Sequence, residues 1–238
     1  MKTSQKRSNR PRERRPNARA DKASKAGTAG ARRTSAPYHH GDLRRALLDA
    51  TEELLEAAGV EGFTLREVAR RAGVSHGAPA HHFGDVRGLL SEFSAESFAQ
   101  LSAAMRRRRA RAPSTPFEQL RASGVAYVEY ALTHRARFQL MFRSERLDPE
   151  RESLAKSAGE AFGQLVECID AVSREVGAPP EFDADKVALA WSLVHGFATL
   201  VIDNRNFAAR VSGGSRTRAL ETVARLIEAN RPAFERRQ

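Results

Sequence analysis

A single cysteine in 238 residues removes any disulfide framework, and Cys168 sits in an apolar run of helical period where a small buried hydrophobe is expected. No stretch reaches the roughly 18 apolar residues of a membrane span. The N-terminus has no apolar segment behind its charges, so neither a signal peptide nor an anchor is expected, and the protein is placed in the cytoplasm with no membrane partner. Runs of alternating polar and apolar residues are absent, as is any repeat of fixed length, which leaves an all-α chain. Also missing are G-x-S-x-G, a phosphate-binding glycine loop, zinc-ligand spacing and paired carboxylates in apolar surroundings. Those absences predict a protein that is not an enzyme and needs no cofactor.

Apolar residues make up 41% of the chain, enough for a substantial core. The formal net charge of +11 is unevenly placed. Residues 1–36 hold twelve Lys and Arg against Glu13 and Asp21, a net +10, so the remaining 202 residues are close to neutral. A segment so rich in Arg, Pro, Ala and Gly cannot bury enough apolar surface to fold alone. It is expected to be a disordered basic arm, either a solvated tail or a phosphate-seeking extension that adds salt-sensitive DNA affinity.

Past the arm, Leu43, Ala46, Leu47, Ala50, Leu54 and Ala58 recur at three- and four-residue steps and mark a first helix, ended by Gly59 and Gly62. Thr64 and Glu67 have the spacing of a capping box, in which hydroxyl and carboxylate satisfy each other's exposed backbone N–H groups. Behind it, Leu65, Val68, Ala69 and Ala72 form one stripe of a second helix. Gly73 and Val74 make a tight turn, and Ser75 is the expected N-cap of a third helix over about 76–82, with Pro79 near its start. Gly84 and Asp85 break and recap the chain before a long fourth helix that starts at Val86 and ends in Arg106–Arg109. Further helices are expected near 117–133, 135–143, 150–177, 183–205 and 216–236, lengths that suit a bundle.

Two short helices joined by a glycine-containing turn form a helix-turn-helix, whose second member enters the major groove of DNA. Residues 64–83 fit that template. Tyr38-His39-His40-Gly41-Asp42-Leu43, Phe63-Thr64-Leu65-Arg66-Glu67-Val68-Ala69, Ala72-Gly73-Val74-Ser75, His82-Phe83 and Leu89-Leu90 together resemble the DNA-binding domain of the TetR/AcrR family. The resemblance implies an N-terminal three-helix domain over 37–90, joined by a long helix to a C-terminal helical domain over 91–238 that senses a ligand and dimerises. By position it implies contacts to double-stranded operator DNA from Tyr38, His39, Thr64, Leu65, Arg66, Ser75, His76, Gly77, Ala78, Ala80, His81 and His82. It further implies repression relieved by a small-molecule effector. At two places the chain departs from the family pattern: Ala80 stands where a tyrosine is usual and Val86 where a lysine is usual, and both commonly touch the DNA backbone. The basic arm would compensate. The pairs His39-His40 and His81-His82 suggest no metal site, because neighbours on a helix point to different faces and no Cys or carboxylate is spaced with them.

Trp191, His195 and Gly196 stand as W-x-x-x-H-G inside 187–202, a segment apolar nearly all round and so expected to be buried on both sides. The motif resembles that of a TetR subgroup named for its Trp-His-Gly signature. Trp191 and His195 share a helix face, where they either line a pocket or pack around one internal hydrogen bond. Gly196 would let another helix approach closely. With Tyr127, Phe138, Phe142 and Phe162 the pair forms the candidate ligand pocket, although aromatics at helical spacing are also ordinary core. The last helices are expected to build a four-helix homodimer interface from Val194, Leu220, Val223, Ile227 and Phe234. An architectural DNA-binding protein with the same helices but no ligand is the alternative, and a cavity in the C-terminal domain distinguishes the two.

Overall fold

The computed structural model describes residues 40–178 and 182–236; the basic arm, Tyr38 and His39 lie outside them. Every regular element among the described residues is helical. In order they are α1 (His40–Ala58), α2 (Leu65–Ala72), α3 (Ala78–Phe83), α4 (Val86–Arg109), α5 (Pro116–Thr133), α6 (Arg135–Met141), a 3₁₀ turn at Ser144–Arg146, α7 (Glu152–Glu175), α8 (Ala184–Asp203), α9 (Arg205–Ser212), α10 (Arg216–Ala229) and α11 (Arg231–Phe234).

Two helices organise the rest. Along α4, Leu89, Leu90, Phe93, Leu101 and Met105 are buried, and the helix packs on α3 at its start and on α5, α6 and α7 along its length. α5 is buried on several sides because α4, α7, α8 and α10 all lie against it. α1 carries the expected apolar positions Leu47, Ala50 and Leu54, yet Leu48, Thr51 and Leu55 are buried as well. The cause is packing from more than one direction: α2, α4 and α6 all touch α1, so a single stripe does not describe its buried face.

Four local differences from the sequence expectations have clear physical reasons. α3 begins at Ala78, two residues later than expected, with Gly77 as its cap; Ser75 instead closes a turn through its carbonyl, which accepts from the Ala78 N–H at 3.0 Å. That start keeps Pro79 in the first turn, where its missing N–H leaves no helical bond unmade. The capping box is half formed. Thr64 Oγ1 accepts from the Glu67 N–H at 3.3 Å, but the Glu67 carboxylate turns outward to Arg70 at 2.8 and 2.6 Å and to Arg71 at 3.2 Å. α9 fills a span expected to be loop, because the Asn204 side chain caps it by accepting from the Phe207 N–H at 2.9 Å. The final helix is broken at Asn230, since Pro232 cannot continue the α10 ladder and instead falls in the first turn of α11.

The expected dimer interface does not survive. Val223, Ile227 and Phe234 turn into their own protomer, Ile227 being only 4% exposed, and Val194 is buried beside them; Leu220 is partly buried. Their stripe is the face by which α10 closes on α5 and α8, and α11 on α7 and on Phe117 of α5, so none of the buried four is available to a second copy.

α8 is long and apolar enough to cross a membrane by composition, with a mean hydropathy of 1.3 over its most apolar stretch. It packs on α5, α7, α9 and α10 by one side only: 39% of that stretch is buried, and Ala188, Trp191, Ser192 and Leu200 are exposed, so the expected burial on both sides is not met.

Candidate DNA-binding and ligand sites

The reading unit is held by its turns. Gly73, at φ 67, adopts the left-handed conformation that ends α2; its N–H reaches the Arg70 carbonyl at 3.3 Å and the Val74 N–H the Ala69 carbonyl at 3.0 Å. Val68, Ala69, Pro79 and Phe83 turn inward, so α2 and α3 are fixed from beneath. Thr64, Arg66, Ser75, His76, Gly77, Ala80 and His81 are left exposed, whereas Ala78 and His82 are half-buried. Leu65 packs partly against the core. Of the two family departures, Ala80 is exposed but has no side chain to reach a phosphate, and Val86 packs against the core. Glu67 is held at a pKa of about 2 by its hydrogen bonds to Arg70, so it neutralises cations near the reading face across the physiological range.

Immediately after α3, Asp85 caps α4 by accepting from the Gly88 N–H at 2.8 Å. Gly88 is where α3 and α4 meet: a Cβ added there would collide with the Phe83 carbonyl oxygen. The segment between α6 and α7 fastens onto this junction. Arg87 donates to the Leu147 carbonyl at 3.2 Å, the Asp148 N–H donates to Ser91 Oγ at 2.8 Å, and Arg151 bridges Glu92 at 3.0 Å and the Phe83 carbonyl at 3.3 Å. A second fastening is Arg137 on α6, 3% exposed, whose guanidinium meets both carboxylate oxygens of Glu52 on α1 at 2.6 Å.

Among the long helices lies a cavity of about 420 Å³, bounded by α4, α5, α7, α8 and the α10–α11 segment. Tyr127, Phe142, Phe162 and Trp191 stand on its wall, as the sequence suggested. Phe138 and His195 do not; they lie behind it, Phe138 packed edge-to-face on Tyr127 with ring centres 5.5 Å apart. Of the W-x-x-x-H-G residues, His195 turns to the Tyr127 hydroxyl, with Trp191 beside it, while Gly196 lies on the open side of α8. Tyr127 Oη and His195 Nδ1 are 2.8 Å apart, and the Trp191 and His195 rings meet edge-to-face with centres 6.2 Å apart. Burial pushes the Tyr127 phenol well up and the His195 imidazole down, so Tyr127 stays protonated and His195 favours its neutral form.

Wall residues missed from sequence include Phe98, Leu101 and Met105 of α4 and Ser123 and Gly124 of α5, together with Ile227 and Phe234, which the sequence reading assigns to the dimer interface. Gly124 was the available signal. A Cβ there would come within 2.8 Å of Ile227 Cδ1 and 3.1 Å of Val194 Cγ1, so its bareness lets α8 and α10 close on α5. Among the described residues no group of three or more His, Cys, Asp or Glu is placed to hold a metal.

Residues 47–93 match the family described as bacterial regulatory proteins of the tetR family, and residues 120–227 match the tetracyclin repressor-like C-terminal domain. Over 82 residues the chain is 45% identical to the HTH-type transcriptional regulator BetI of Burkholderia mallei, an alignment covering 34% of this chain and 42% of that relative. A solved structure of a protein of unknown function from Rhodococcus sp. RHA1 is 31% identical, with a TM-score of 0.66 over 84% of this chain and 97% of that one. The TetR family regulator PfmR of Thermus thermophilus shares the fold at 20% identity and a TM-score of 0.55, covering 76% and 94% of the two chains.

Proposed function

Because the chain belongs to the TetR family of DNA-binding transcriptional regulators, we propose that it is a repressor that binds double-stranded operator DNA as a homodimer in the bacterial cytoplasm and is released by a small-molecule effector. The observation that carries the sensing half is the connection between cavity and reading unit. Phe142, on the cavity wall, is followed directly by the 143–151 segment, whose Arg151 holds the last carbonyl of α3. An occupant that displaces Phe142 therefore pulls on the reading helix, and such a link favours a sensor over a purely architectural DNA protein. On the DNA side, the exposed set Thr64, Arg66, Ser75, His76, Gly77, Ala80 and His81 forms the proposed reading face, with Ala78 and His82 at its edge. Tyr38 and His39 are proposed to join it from the preceding segment. With an operator recovered by selection from genomic fragments, Arg66→Ala and His81→Ala are each expected to weaken binding by roughly tenfold while Tm moves by less than about 2 °C. Unchanged affinity in both variants would overturn the assignment of this face.

The homodimer is proposed to form through the outer side of α8. Ala188 and Ser192 are exposed, Leu200 is 47% exposed, and a Cβ built on Gly196 meets no atom within 4 Å. These residues recur every four positions and present one narrow face on which a second α8 can lie close. Ser192→Arg is expected to convert the dimer to monomers in sedimentation and to cost operator affinity about a hundredfold or more, because a lone protomer reads one half-site. A variant that still sediments as a dimer would place the interface elsewhere.

A further inference from the structure

Resting on the reading of the cavity as the sensor site, we propose that its ligand is an uncharged, mainly apolar molecule carrying one hydrogen-bonding group, and that Ser123 receives that group. None of the described residues on the cavity wall is charged. An ammonium or carboxylate drawn into it would lose its water and find no opposite charge, which selects against either ion. Aromatic faces attract cations to some degree, but the rings here also suit an apolar body, and no carboxylate stands on the wall to add to that attraction.

Polar groups on the wall are few, and one of them is already engaged. Tyr127 Oη is hydrogen-bonded to His195 Nδ1. Ser123 differs. It is 5% exposed, stands on the wall next to Gly124, and its hydroxyl has no hydrogen-bond partner among the described residues. Its oxygen opens to the cavity and is not sealed in the core, so a ligand group can pair with it in place of water. The volume, about 420 Å³, corresponds to about fourteen waters of liquid and so admits a ring system or a folded aliphatic chain.

Trp191 is the only tryptophan of the chain and stands on the cavity wall, so its fluorescence reports occupancy. The full-length protein is titrated with 1-adamantanol, adamantane-1-carboxylate and 1-adamantylammonium, which share one rigid apolar body and differ in charge. The alcohol is expected to change Trp191 emission and to bind at least about tenfold more tightly than either ion. Ser123→Ala is expected to weaken the alcohol about two- to tenfold and to leave binding of cyclooctane, which has no polar group, unaltered. If either ion binds as tightly as the alcohol, the ligand class is overturned while the sensor reading stands. If none of the probes changes Trp191 emission or Tm, the cavity is not a ligand site and both readings fall. Wild-type affinity of Ser123→Ala for the alcohol would remove Ser123 from recognition.

Discussion

Gly88→Ala is expected to lower Tm by roughly 4–8 °C and to weaken operator binding by more than about tenfold, although it exchanges a poor helix former for the best one. Two effects of opposite sign meet at this residue. Within the first turn of α4, alanine would gain about 1 kcal/mol of helix propensity over glycine. Against that, its Cβ would occupy the place of the Phe83 carbonyl oxygen, and backbone cannot rotate aside as the end of a side chain does. The collision can be relieved only by moving α3 away from α4, at about 3 kcal/mol for overpacking of this kind. The same displacement strains the hydrogen bond from Arg151 to the Phe83 carbonyl and tilts the helix that carries Ala80 and His81. Melting and operator titration of one preparation decide the matter: a variant as stable and as tightly bound as wild type would show that the α3–α4 junction has slack.

Much of this was legible in the sequence wherever a short-range rule applied. The glycine turn at Gly73, the threonine cap at Thr64 and the apolar stripe of α2 all act within a few residues, and their spacing is their physics. Longer-range features left weaker traces. The apolar spacing of Val223, Ile227 and Phe234 says that one face of the last helices is buried but not by what, and the partner proved to be α5 of the same protomer rather than a second chain. Glu67 followed the more favourable of two local options, two arginines in place of one backbone N–H. α9 had a signal in Asn204, which was obscured by reading the preceding apolar helix straight through it. Pairing of Glu52 with Arg137, 85 residues apart, had no signal at all, since no periodicity relates residues on helices that meet only in the folded chain.

That pair sets the last expectation. Glu52→Ala should destabilise the protein by about 2–3 kcal/mol, a fall in Tm of roughly 4–12 °C, because it leaves the buried Arg137 guanidinium with only the more distant Glu96 carboxylate; the partial exposure of Glu52 keeps the loss below that of a fully buried pair. Arg137 retains Ser97 Oγ at 3.3 Å, Glu96 at 3.8 Å and the face of Phe93 at 4.4 Å, none of which replaces a bidentate carboxylate. Replacing both partners together, Glu52→Met with Arg137→Met, should return stability to within about 1 kcal/mol of wild type, since an apolar pair loses no solvation on burial. Acid separates the pair from simple packing. Hydrogen bonding to Arg137 holds the Glu52 carboxyl below its ordinary 4.5, so its contribution is complete above that value and is lost as the pH falls through the lowered one. Wild type should therefore lose stability below about pH 4.5 more steeply than the double variant, in which Glu96 loses only its 3.8 Å contact with Arg137 and keeps Arg45 at 3.3 Å. Parallel acid profiles for the two proteins, or a double variant no more stable than Glu52→Ala, would show that the bridge joining α1 to α6 contributes shape rather than charge.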